Sequence, residues 1–341
     1  MQEYYDLLRA TSRTFAVGIE ALPSPLRDAV TLAYLVLRVA DYFEDSPTLT
    51  YDEKRNALDR WARLVEHAGD TVDAEELAPL TCAVVPQDRN LPDQLAALRA
   101  PSILDGLSRL PADLREPIQS HAANTTRGMS YWAERGDEFP DESALDDYMF
   151  EVAGRVGLLL TDLFCAYSPN VRKRHNRLLK SAVSFGLGLQ TVNIIRGLHE
   201  DPGRGWIYVP RHILPPQFTR EHPPPDLRLM ERHWQLGILN FFVAKAGGHI
   251  AEALRYCQEL PLRERGIRVF CIIPALIALR TADLSLGNPE TFSAPVKVSR
   301  PDVRRIVLSA RYLFFSNAWL ERKRGRALQL AQDLAANPEP S

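Results

Sequence analysis

Apolar residues recur at helical spacing along almost the whole chain, and no stretch alternates with the period of two that marks a strand. The spacing predicts a first helix over Tyr4–Leu22, stopped by Pro23. Ser24-Pro25 then reads as an N-cap followed by proline at the first helical position, opening a second helix. Thr50 and Glu53 form a capping-box pattern for a helix to about His67. Residues 69–100 are more polar and interrupted by Pro79, Pro86 and Pro92, which predicts short helices. Helical spacing resumes over Leu110–Glu134, again from Asp141–Ser143 to Tyr167, and from Val171 to His199. The segment 202–225 holds seven prolines and is read as a long irregular loop, either functional or disordered. Asp226 restarts a helix to about Cys257. A helix over Pro261–Leu286 is expected to kink at Pro274, and a last long helix spans Pro301–Arg324. The pattern predicts an all-α fold in one domain, residues 1–336, with a frayed tail at 337–341.

The second helix departs from a simple amphipathic pattern. Steps of four, three and four put Tyr34, Arg38, Asp41 and Asp45 on one stripe. Leu32, Ala33, Leu35, Val36, Val39 and Ala40 between them are apolar, so most sides of the helix should be buried. Two carboxylates one turn apart in such a helix are costly unless paired. Arg38 can neutralise part of the charge, and a hard divalent cation could take the rest, since Mg²⁺ prefers oxygen ligands shared with substrate phosphates. An ordinary solvated acidic helix end is the alternative for this stripe alone. A second polar stripe, Gln190, Asn193, Gly197 and Asp201, lies in another apolar stretch, with Arg196 and Glu200 on the neighbouring face. Gln190 and Asn193 sit deep enough among apolar neighbours to require buried partners.

Composition adds bounds. The 341 residues are 45% hydrophobic and 25% charged, with a formal net charge of −2, which gives no electrostatic reason to expect nucleic-acid binding. Cys82, Cys165, Cys257 and Cys271 are scattered without a metal or disulfide pattern, so reduced thiols of a cytoplasmic protein are expected. No secretory signal is read at the N-terminus, and no uncharged apolar run approaches the ~20 residues of a membrane span. The protein is expected to be cytoplasmic, at most peripheral to a membrane. Arg322-Lys323-Arg324-Gly325-Arg326 reads as a solvated basic helix end, with an anionic membrane surface as the weaker reading.

These motifs together resemble the squalene and phytoene synthase family of head-to-head prenyltransferases, with squalene-type members the nearest. Tyr34 to Asp45 resembles its first acidic motif, and Ser12-Arg13-Thr14-Phe15 its N-terminal signature. Tyr148 with Val152-Ala153-Gly154 and Gly157 resembles a third segment. Gln190, Asn193, Arg196, Glu200, Asp201, Tyr208 and Pro210 resemble the second acidic motif. Phe270 to Pro274, and Lys297 with Arg300, resemble segments associated with a second, reductive half-reaction. One family position departs: Gly197 stands where an aspartate is usual.

The resemblance implies a helical bundle around a central cavity and condensation of two farnesyl diphosphates through a cyclopropyl diphosphate, with squalene as the expected end product. It implies Mg²⁺ held by Asp41, Glu44, Asp45, Asn193, Glu200 and Asp201. Tyr34, Arg38, Asp41, Asp45, Tyr148 and Asp201 would be catalytic. Ser12, Arg13, Phe15, Val152, Ala153, Gly157, Gln190, Asn193, Arg196, Tyr208 and Phe270 would bind substrate. Lys297 and Arg300 would hold NADPH, and a peripheral membrane contact would serve product release. A phytoene synthase using geranylgeranyl diphosphate, an atypical terpene cyclase or prenyltransferase, and a non-catalytic isoprenoid binder are the alternatives. At Gly197 a metal-bound water is expected to fill the gap, with Gly197→Asp tolerated.

Overall fold

The computed structural model describes residues 1–69, 74–85, 93–135, 139–204, 206–218 and 226–335, and among them it is helices and connecting loops without a β-strand. In chain order the helices are α1 (Gln2–Thr11), α2 (Arg13–Ile19), α3 (Leu26–Asp45), α4 (Tyr51–Glu66), α5 (Ala74–Cys82), α6 (Gln94–Ala97), α7 (Ala100–Ser108) and α8 (Ala112–Arg135). They continue with α9 (Glu142–Met149), a π-helical turn at Phe150–Gly154, α10 (Arg155–Tyr167), α11 (Pro169–Arg172) and α12 (His175–Gly197). The rest is α13 (Arg232–Glu259), α14 (Arg265–Ser285), α15 (Arg300–Leu313) and α16 (Asn317–Ala335). The predicted tail at 337–341 lies outside the described residues.

Local chemistry explains most boundaries. Ser12 breaks the predicted first helix in two: its extended backbone ends α1, and its hydroxyl accepts from Phe15 N at 3.3 Å to start α2. The Thr50–Glu53 capping box forms as expected. Pro25 is the N-cap of α3 and not its first helical residue, which is a correction to the expected start. Pro274 is accommodated inside a continuous α14. The expected single helix Pro301–Arg324 is instead two: α15 stops at Leu313, and α16 restarts at Asn317. The expected helix from Val171 likewise divides into α11 and α12.

The chain forms two compact units, Met1–Arg135 with Arg155–His175, and Gly136–Gly154 with Asn176–Ser341. In the first, α3 is the central element, touching α1, α4, α6, α7, α8 and α10. Leu32, Leu35, Val36 and Val39 are completely buried, each stabilising the fold by about 1.5–3 kcal/mol relative to exposure. Trp61 of α4 donates its indole N–H to Val36 O at 3.0 Å, a buried pin between α4 and α3. In the second unit α13 packs against α14 and α16. Arg268 is fully buried there. Its guanidinium donates to Leu260 O at 2.5 Å, Phe314 O at 2.7 Å and Asn317 Oδ1 at 2.7 Å, which offsets the cost of burying a cation. α12 is the one described helix long and apolar enough to cross a membrane, but 61% of its most apolar window is buried inside the protein.

Candidate functional site

In the first unit the expected stripe on α3 is the open face of an otherwise buried helix. Tyr34, Arg38, Asp41 and Asp45 are all half-buried, whereas their apolar neighbours are closed off. Glu44 is buried and so does not share the open face; its carbonyl accepts from Lys54 Nζ at 2.8 Å. Arg38 is held from two sides. Its Nη1 pairs with Asp41 Oδ2 at 2.8 Å, and its Nε donates to Asp93 Oδ1 at 2.6 Å while Nη2 bonds Asp93 Oδ2. Burial disfavours the guanidinium cation, but Asp41 and Asp93 outweigh that and hold it protonated.

Asp41 is also strongly perturbed. Desolvation raises its carboxyl strongly, Arg38 opposes the rise, and the negative Asp93 and Asp45 add to it, leaving the carboxyl near 7. It keeps 22% of its side-chain surface, so it remains reachable from solvent. Tyr34 is also raised, chiefly by burial, with Arg38 and hydroxyl bonds to Thr11 and Ser12 opposing. Phe15 packs on the Tyr34 ring at 5.9 Å, and Arg38 lies 5.8 Å from that ring's centre. The N-terminal signature and the first acidic motif are thus one assembly. The side chain of Arg13 lies outside the described residues.

In the second unit the second polar stripe is exposed where burial was expected. Asn193, Arg196 and Glu200 are exposed and Gln190 is half-buried, so Asn193 needs no buried partner. The helix ends at Gly197, and Asp201 lies beyond it in a 3-10 turn (Asp201–Arg204), not on a continuous helical stripe. Asp201 nevertheless returns to the stripe through space. A Cβ added to Gly197 would meet Asp201 Cγ at 2.6 Å and collide with its Oδ2. The gap expected to hold water is therefore filled by a carboxylate, and Gly197→Asp is not accommodated without moving Asp201. His199 turns back onto the helix end, its Nδ1 2.9 Å from Arg196 O, with Nε2 3.8 Å from Glu200.

Beside this helix end stands an aromatic cluster. The hydroxyls of Tyr148 and Tyr208 bond at 3.2 Å. Trp206 stacks on Tyr208 at 5.5 Å with an interplanar angle of 11°, and its backbone N–H donates to Asp201 O at 3.0 Å. Phe139 closes the group at 5.5 Å from Tyr148. The Val152-Ala153-Gly154 segment is the π-helical turn, a geometry that recurs at functional sites. Its width lets α12 approach: a Cβ on Gly186 would strike the Ala153 backbone and come within 3.1 Å of Gly154 Cα. Gly157 is buried in α10, where its carbonyl accepts from Thr161 Oγ1 at 2.8 Å. Phe270 is buried in α14, and Lys297 and Arg300 are exposed at the entry to α15.

Asp93, Trp206 and Gly186 were not singled out as site residues. Asp93 lies 55 residues from Arg38 in a polar stretch without periodicity, so no local signal marks it. Trp206 offered one: a large aromatic in a proline-rich loop, two residues before Tyr208. Gly186 and Gly188 are glycines inside an apolar helix, where glycine is disfavoured unless something approaches closely.

Residues 8–304 match the family model described as squalene/phytoene synthase. The chain is 32% identical over 313 residues to a squalene synthase of Schizosaccharomyces pombe, covering 89% of this chain and 64% of that protein. It is 28% identical over 317 residues to a squalene synthase of Yarrowia lipolytica, covering 91% of this chain and 67% of the relative. The chain thus spans about two thirds of the length of these relatives. The solved structure of TcSQS with a bound ligand superposes with a TM-score of 0.74 at 25% identity, covering 97% of this chain and 98% of that one.

Proposed function

The chain belongs to the squalene/phytoene synthase family, and from that premise we propose that it joins two farnesyl diphosphates head to head through a cyclopropyl diphosphate and carries the product on to squalene. The observation that carries this reading is the open face of α3, where Asp41 and Asp45 stand one turn apart with Asp41 fixed by an Arg38–Asp93 lock. Two hard oxygen donors without further protein ligands suit Mg²⁺, which binds one or two carboxylates and completes its shell with water and phosphate. Among the described residues no group of three or more His, Cys, Asp or Glu side chains closes on a common point. When bound, the ion would supply positive charge to the departing diphosphate. Asp41 and Asp45 would hold one ion on α3, and Glu200 and Asp201 would hold another in their own unit, after α12.

The chain's own residues have separable tasks. Arg38 has its fork committed to two carboxylates, so it positions Asp41 and keeps its negative charge tolerable. Arg196, exposed beside Gln190 and Asn193, presents free donor geometry of the kind that grips phosphate oxygens. Tyr148, Trp206 and Tyr208 offer aromatic faces, which attract cationic charge and exclude water from it. The buried Phe270 adds apolar volume. For the reductive half-reaction, exposed Lys297 and Arg300 would grip the phosphates of NADPH, which would supply hydride.

The alternative, a non-catalytic isoprenoid binder, is separated from this reading by activity alone. The test is product analysis after incubation with farnesyl diphosphate and Mg²⁺, with and without NADPH. Squalene formed only with NADPH, and the cyclopropyl diphosphate without it, is the expected result. Release of no diphosphate from any prenyl diphosphate would overturn it.

A further inference from the structure

We propose that Lys245 is a positioning residue: its bridges to Glu142 and Asp146 set the rotation of α9, and with it the place of the Tyr148 hydroxyl in the reaction proposed above, on which this inference rests. All four residues belong to the second unit. The Lys245 ammonium lies 2.6 Å from Glu142 Oε1 and 2.6 Å from Asp146 Oδ1. Only 8% of its side chain is exposed, against 49% and 44% for the two carboxylates. The cation is therefore the enclosed partner, on a helix whose Phe242, Val243 and Ala246 are completely buried. An enclosed ion pair adds little stability over apolar residues of the same volume, and its better-attested use is to fix register.

The helix α9 needs such a device. It has 8 residues, fewer than the ~12–15 that hold a helix on their own. The π-helical turn Phe150–Gly154 follows it directly, so the α-helical hydrogen-bond ladder is not continued beyond it. Leu145 and Met149 are completely buried and attach the helix, but apolar contact is not directional. Its rotation is left to polar contacts. Glu142 and Asp146, one turn apart, share the face turned to α13. Tyr148 lies two residues on from Asp146 and so on the opposite face, where its hydroxyl meets that of Tyr208 at 3.2 Å and its ring lies 5.8 Å from Trp206. A rotation of about 20° would move a group ~6 Å from the helix axis by about 2 Å. A shift of about 1 Å at a reacting group can cost about a hundredfold in rate. The same stripe of α13 also engages α12. A Cβ on Gly188 would lie 3.4 Å from His249 Cβ, and Glu252 accepts from Ser181 Oγ at 2.9 Å. Burial first and the Lys245 ammonium second push the His249 imidazole down to about 4, with Asp146 and Glu142 opposing. It is therefore neutral and does not compete with Lys245 for the carboxylates.

The experiment compares the full wild-type chain with Lys245→Met, Lys245→Arg and Glu142→Gln/Asp146→Asn, each well below its melting temperature. The double variant alters half-exposed side chains and serves if Lys245→Met does not fold. One reading is fluorine NMR of protein labelled with 3-fluorotyrosine, the Tyr148 signal being assigned by its loss in Tyr148→Phe. The other is steady-state kinetics with farnesyl diphosphate and Mg²⁺. In Lys245→Met and in the double variant the Tyr148 signal is expected to shift, and kcat to fall by about tenfold or more with KM held within about twofold. Lys245→Arg, which keeps the charge, should restore both readings. A lower melting temperature with kcat and the Tyr148 signal as in wild type overturns the proposal, since the bridges would then serve stability alone. Loss of kcat with an unmoved signal also overturns it, because Lys245 would then act by another route. A wild type inert with every prenyl diphosphate would sink the proposed reaction instead, and the fluorine signal would still decide whether Lys245 places Tyr148.

Discussion

The carboxylate of Asp201 lies in the space that a side chain on Gly197 would fill, with Asp201 Cγ 2.6 Å from where a Cβ would stand. Two residues four apart, one ending a helix and the other beyond it, therefore share a single position. Glycine costs about 1 kcal/mol relative to alanine in a helix interior, and a larger residue at the end of α12 would require the Asp201 side chain to shift.

Gly197→Ala should displace Asp201 while leaving the fold as stable as wild type or slightly more so. The expected result is a fall in kcat/KM of about tenfold or more, equal to about 1.4 kcal/mol of lost transition-state stabilisation, with an unchanged or higher Tm. Gly197→Asp should behave likewise, and adding Asp201→Gly to it should recover part of the loss. Steady-state kinetics at several Mg²⁺ concentrations decide the matter; wild-type kinetics in Gly197→Ala would remove any role for the Asp201 position.

Asp93→Ala should leave Arg38 half-paired in a largely enclosed site. Removing one partner of a buried ion pair costs about 3–5 kcal/mol, and the 28% exposure of the Arg38 side chain reduces this to about 2–3 kcal/mol through solvent screening. Urea denaturation should show a lower midpoint with an unchanged slope. An unaltered midpoint would mean that the Arg38–Asp93 contact does not hold the stripe.

The raised Asp41 carboxyl makes a signed prediction about pH. Its folded-state value, near 7, lies above the unfolded value of about 3.9, so the folded state binds the proton more tightly. Stability from this group is therefore present below about 3.9 and lost as pH rises through 7. In the absence of divalent cations, Asp41→Asn should remove that decline, so the wild-type Tm falls relative to the variant between pH 4 and pH 7 (about the two bounding values). On the proposed metal-binding role of Asp41, turnover should rise over the upper part of the same window. Parallel Tm profiles for the two proteins would refute the perturbation.

Trp206→Ala should open the cluster it forms with Tyr148 and Tyr208. Loss of a large packed aromatic costs about 3 kcal/mol, and on the proposed reaction water would gain access to cationic intermediates. The product mixture should shift towards hydroxylated, water-quenched species, read by gas chromatography with mass spectrometry. An unchanged product ratio at reduced stability would give Trp206 a packing role only.

The α3 stripe was legible in the chain because four residues at helical spacing, set among apolar neighbours, leave a helix one way to orient: its open side must carry Tyr34, Arg38, Asp41 and Asp45. The all-α class followed from the same periodicity, and the Thr50–Glu53 cap from local hydrogen-bond chemistry. Those are short-range properties, decided within a few turns. The mistakes have two physical origins. Asn193 was expected to be buried because apolar neighbours surround it in sequence, but neighbours along a helix point in every direction, and only packing decides which side is covered. The split at Ser12 and the break between α15 and α16 are instead made by local caps, Ser12 accepting from Phe15 N and Ser316 from Trp319 N, which the apolar periodicity does not register.

What tertiary structure alone decided is which distant residues share a charge or a volume. Asp93 locks Arg38 across 55 residues, and nothing in the intervening sequence encodes a distance through space. Gly197 read as a missing ligand when taken as a letter at a motif position. In the folded chain it is the room that Asp201 needs, because the helix ends there and the turn that follows brings the carboxylate back over its last residue.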